Sequence, residues 1–173
     1  MPQILPAIAD RIERSTVMIG RAVAWLSLAV VLVQFAVVVL RYAFGLGSIW
    51  LQESVIYGHA TLFMLAAAWT LHENGHVRVD IFYAGASPRR KALVDLAGAL
   101  FLLIPFAAVL FLLSLPYVTR SWSLLERSRE VSGLPLVFLL KTLISAFALL
   151  MTLQGIAQAV RAFAVLRALP PDG

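Results

Sequence analysis

No cysteine occurs in the 173 residues, and only 13% of them are charged. The first absence excludes disulfides, thiolate metal sites, iron–sulfur clusters and cysteine nucleophiles. The second, with 61% hydrophobic residues and a mean hydropathy of +0.90, excludes a soluble domain, because a chain of this length cannot bury that much apolar surface. The composition is that of an integral membrane protein held together by helix packing. A formal charge of +5 would suggest nucleic acid in a soluble protein. Here the basic residues flank apolar runs, where they set membrane orientation instead.

Ala22 to Leu40 has no ionisable residue, and at about 1.5 Å per residue it is about 28 Å long, the thickness of a bilayer core. Upstream, Ile4, Leu5, Ile8 and Ile12 recur at helical spacing among Asp10, Arg11, Glu13 and Arg14. That pattern predicts an amphipathic helix over 1–16, lying at the interface. Gly45-Leu46-Gly47-Ser48 then supplies a turn, Asn74-Gly75 a helix stop, and Ser87-Pro88 a cap and first-turn proline, while Pro105 predicts a kink. The reading is an all-α integral membrane protein with one domain over 1–173, an interfacial helix at 1–16 and spans at 19–41, 52–72, 92–118 and 136–160. The last span has two possible starts, Leu136 and Lys141. Arg120 to Glu130 reads as a loop along the interface.

Of the 14 Lys and Arg residues, Arg11, Arg14, Arg21, Arg78, Arg89, Arg90, Lys91, Arg161 and Arg167 fall on one side of this topology. Arg41, Arg120, Arg127, Arg129 and Lys141 fall on the other, so the positive-inside rule places both termini in the cytoplasm.

The densest polar stretch is Leu71-His72-Glu73-Asn74-Gly75-His76-Val77-Arg78-Val79-Asp80. His72-Glu73-x-x-His76 fits the spacing of a zinc peptidase, which needs both imidazoles on one helical face. Asn74-Gly75 argues instead that the helix has ended between them. His59 and His72 are thirteen positions apart, a separation compatible with haem near opposite membrane faces, but the other spans contain no histidine to complete a bis-histidine site. A haem- or quinone-associated membrane anchor of a redox complex is the alternative reading. With few intramembrane charges and no inverted repeat, the chain does not read as a self-sufficient transporter. No enzyme activity, cofactor or metal is expected.

Three segments carry a resemblance: Arg41-Tyr42 closing the first span, Trp50-Leu51-Gln52-Glu53 opening the second, and Gly75-His76-Val77-Arg78-Val79-Asp80 closing it. The chain resembles the small membrane subunit, DctQ-type, of tripartite ATP-independent periplasmic (TRAP) transporters. Many members have an acidic pair after the tryptophan, where this chain has Gln52 and a single Glu53. The resemblance implies a multi-pass inner-membrane subunit that braces a large DctM-type permease subunit served by a periplasmic solute-binding protein. It further implies sodium-driven uptake. Ser128-Arg129-Glu130-Val131-Ser132-Gly133-Leu134-Pro135 and Lys141 are similar to the branch handling 2-oxo acids, mannitol and chloroaromatic acids, which implies an organic acid. Arg41, Trp50, Glu53, His76, Arg78 and Asp80 are the residues this resemblance assigns to the subunit interface or the family motif.

Overall fold

A computed structural model describes residues 4–77 and 83–169. Six helices follow in order: α1 (Ile4–Ala24), α2 (Leu26–Phe44), α3 (Ile49–His72), α4 (Pro88–Gly98), α5 (Ile104–Ser123) and α6 (Val137–Ala168), with a π-helical turn at Ala99–Leu103 joining α4 to α5. Four of the resulting helical runs are long and apolar enough to cross a membrane: Ile4–Phe44, Ile49–His72, Pro88–Ser123 and Val137–Ala168.

Among the described residues, ten of the fourteen buried apolar residues are alanines, while Phe35, Phe63, Phe101, Phe106 and many leucines are exposed. That distribution is inverted relative to a soluble domain. Where lipid covers the outside, helices associate by close packing of small residues. The centre is a cluster of Ala67, Ala68, Ala107 and Met151 from α3, α5 and α6. Buried Ser114 and Ser145 hydroxyls lie 2.7 Å apart between α5 and α6. A Cβ on Gly155 would stand 3.0 Å from Ile104 Cγ1 and Leu103 Cδ2, so α6 also packs tightly on the π turn. Pro105 is the second residue after that turn. Proline donates no N–H, and the chain widens to an i→i−5 bond, Ile104 N to Ala99 O, just before it. The expected kink therefore takes the form of a π bulge.

The break expected between residues 16 and 19 is absent, because α1 runs unbroken from Ile4 to Ala24 and α2 resumes at Leu26. Thr16 and Gly20 are buried, with α1 packed against α3 at this point. The combined run of 41 residues is about 60 Å long, twice a hydrocarbon core. Gly20 faces Trp69 and Gly58 faces Val30, which sets α3 antiparallel beside residues 17–40. Residues 4–16 extend past the end of α3 and lie along α6, where Arg161 Nε donates to Glu13 Oε1 at 3.0 Å and Nη2 donates to Asp10. The acids that made this segment read as a separate surface helix are thus neutralised by a residue 148 positions away in sequence. The first and last described residues, Ile4 and Leu169, lie at this end of the bundle. The 45–48 turn and the 124–136 loop lie at the opposite, hairpin end.

Candidate functional site

The sequence-selected residues divide between the two ends of α3, which at 24 residues is about 36 Å long. Arg41, Trp50 and Glu53 are at the hairpin end, and His76 is at the termini end. Arg78 and Asp80 lie outside the described residues.

The hairpin end is built on Ser48, whose hydroxyl accepts from Leu51 N at 3.3 Å and caps α3. Capping starts the helix at Ile49 and places Glu53 one turn in, facing the loop that follows α5. Both oxygens of Glu53 are engaged there: Oε1 accepts from the Ser128 hydroxyl, and Oε2 accepts from Leu134 N at 2.5 Å. Gly133 sits between the two contacts. A Cβ there would stand 2.8 Å from Glu53 Oε1 and closer still to the Ser128 side chain, so only glycine fits. One carboxylate thereby fastens a loop about 80 residues distant in sequence. Ser128 and Gly133 were read only as part of a family segment. The signal for their role is a single acid at a helix mouth with a glycine-proline turn to receive it.

Beside this clamp, Lys141 lies one turn inside α6, which begins at Val137 rather than at the lysine. Its Nζ donates to Glu126 Oε2 at 2.5 Å and stands 4.1 Å from the Tyr117 ring centroid. Glu126 also accepts from the Ser121 hydroxyl at 2.7 Å, and Trp122 Nε1 donates to Thr142 Oγ1 at 2.8 Å. Hydrogen bonds from Lys141 and then Ser121 hold the Glu126 carboxyl below its ordinary range. A lowered folded-state value means the contact contributes fully above the ordinary carboxylate pKa and is lost as pH falls through the lowered one. The Trp122 resonance in fluorotryptophan-labelled protein is therefore expected to hold steady through the ordinary carboxylate range and shift only below it. Lys141→Met moves that transition to higher pH, and equal midpoints in the two proteins would refute the contact.

At the other end, α3 stops in a Schellman motif. Asn74 takes φ 55, its N–H bonds Leu71 O at 3.1 Å, and Gly75 N bonds Thr70 O at 2.8 Å. His76 folds back over the last turns of the helix so that Nε2 lies 3.2 Å from Ala67 O. His72 is the last residue of α3 and His76 is beyond the reversal, so the two do not share a helical face and the peptidase spacing has no helix to act on. Among the described residues no three potential ligands cluster. His72 instead lines a groove of about 440 Å³ with Glu13, Lys91, Gln154 and Arg161 among its polar residues. His59 sits on the outer surface of α3, its ring stacked on Phe63 with centroids 6.4 Å apart.

A family model described as Tripartite ATP-independent periplasmic transporters, DctQ component, matches residues 30–165. Neither a curated protein nor a solved structure matches the chain.

Proposed function

Since the chain belongs to the DctQ family of tripartite ATP-independent periplasmic transporters, and is therefore a non-catalytic, multi-pass subunit of the bacterial inner membrane, we propose that it braces a DctM-type large permease subunit during sodium-driven uptake of an organic acid. The observation that carries this reading is the closed centre of the bundle. Ala67, Ala68, Ala107 and Met151 pack together with Leu71, Leu103, Phe147 and Leu150 around them, leaving the solute path to a partner. A fixed brace also needs rigid ends, and the Glu53 clamp and the Arg161 pairs tie the helices at both.

With the termini cytoplasmic, as the basic residues favour, the clamped 124–136 loop faces the periplasm. There it offers the loaded solute-binding protein a held surface, with Leu124, Leu125 and Val131 exposed. The solute is taken to be a carboxylate or 2-oxo acid on the likeness of 128–135 and Lys141 to that branch. The family assignment takes the place of the redox-anchor alternative.

Purification of the tagged chain from its native membrane in mild detergent tests the partnership. A large multi-span protein at equal stoichiometry is expected. A haem-bearing partner with a Soret band would contradict the reading.

A further inference from the structure

The geometry points to the α2–α3 hairpin as the side on which the large permease subunit docks, with Gln34 and His59 as its hydrogen-bonding contacts. This rests on the chain being a small permease subunit and goes further by naming the face.

Gln34 and His59 are both exposed, and neither side chain has a hydrogen-bond partner among the described residues. His59 is about 15 Å from the start of α3 and about 20 Å from its end, too deep for its short side chain to reach either interface. The pairing of Gly58 with Val30 puts Gln34 about 7 Å nearer the hairpin end than His59, level with Ser54 beside the Glu53 clamp, so that His59 is the group at hydrocarbon depth. Polar groups at that depth are costly when they face lipid, and they occur where another helix supplies a partner.

Two threonines of the same helix do not share this problem. Thr61 and Thr70 bond back to the carbonyls of Tyr57 and Ala66. The opposite side of the bundle also differs: the exposed residues of the π turn and α5 are apolar from Phe101 to Leu115, a surface that lipid satisfies. α1, α2 and α6 occupy the remaining sides of α3, so its open stripe of Ile56, His59 and Phe63 is left for a partner helix. The partner chemistry is a transmembrane helix carrying a hydrogen-bonding side chain or an accessible carbonyl at the level of His59.

The test uses the complex in its native membrane. Phe35 and Phe63, each 67% exposed, and Phe106 and Leu113, each 70% exposed, are replaced one at a time by photoreactive benzoylphenylalanine. Illumination is expected to join the large subunit to positions 35 and 63 and not to 106 and 113. Adducts from 106 and 113 alone, with the complex intact, would overturn the face while leaving the subunit assignment standing. Adducts between two copies of this chain at 35 or 63 would overturn it in favour of self-association. A large partner missing from every preparation, wild type included, would instead remove the functional reading beneath it. Gln34→Leu and His59→Leu supply a second readout whose sign separates the cases. At a docking face each lowers the large subunit retained on purification by about threefold to tenfold. Retention unchanged or increased, as for a lipid-facing side chain made apolar, would overturn the proposal.

Discussion

Glu53→Ala is expected to destabilise the bundle by about 3 kcal/mol, the low end for two hydrogen bonds to a charged acceptor at about 1.5–3 kcal/mol each. The Leu134 N–H and the Ser128 hydroxyl both lose their acceptor, and the half-buried amide is left unpaired. Glu53→Gln falls between, because an amide has one acceptor oxygen for two donors. Gly133→Ala reaches the same contact from the other side by driving a Cβ into Ser128 and Glu53. As the two positions share one cluster, Glu53→Ala combined with Gly133→Ala should cost less than the sum of the single effects. Thermal unfolding of the four proteins in one detergent reads the cycle. Strict additivity, or a Glu53→Ala protein as stable as wild type, would mean that the clamp does not hold the loop.

Gly20→Val carries the second large effect. A Cβ at Gly20 would lie 2.6 Å from Trp69 Cγ and 2.7 Å from Cδ2, with the Trp69 Cβ closer still. The indole cannot swing away freely, since its Nε1 donates to Glu73 Oε1 at 3.1 Å. Overpacking of this kind typically costs about 1–3 kcal/mol, and a branched side chain against a fixed ring falls at the upper end or beyond. Trimming the ring tests the cause. Trp69→Ala should rescue Gly20→Val only in part, because the Cβ of residue 69 remains in the way. Full rescue would place the clash in the ring alone, and no loss in Gly20→Val would mean that α1 and α3 are not in contact there.

Much of the fold was legible because its causes are local. Spans follow from uncharged runs of bilayer length, the turn before α3 from Gly45 to Ser48, and the end of α3 from Asn74-Gly75, whose αL asparagine and Schellman bonds are the chemistry that dipeptide favours. What escaped was non-local. Asp10 and Glu13 read as the wet face of an interfacial helix until Arg161 is placed against them. Local sequence cannot announce a partner so distant. Glu53 shows the same limit in the site: it was selected as an interface anchor, yet both of its oxygens are taken up within the chain. Pro105 announced an irregularity but not its form, because a kink and a π bulge both solve the missing N–H, and the choice depends on packing against Gly155. His59 was weighed only as half of a haem pair, and the positions of α1, α2 and α6 reveal that it faces outward.

The most direct measurement of the central claim is solute uptake into proteoliposomes containing the large permease subunit, with a sodium gradient and the loaded binding protein supplied outside, in the presence and absence of this chain. A brace without a pathway of its own predicts uptake when both membrane subunits are present, none from this chain alone, and a severe loss when it is omitted. Full uptake without the chain, or uptake by the chain alone, would contradict the account.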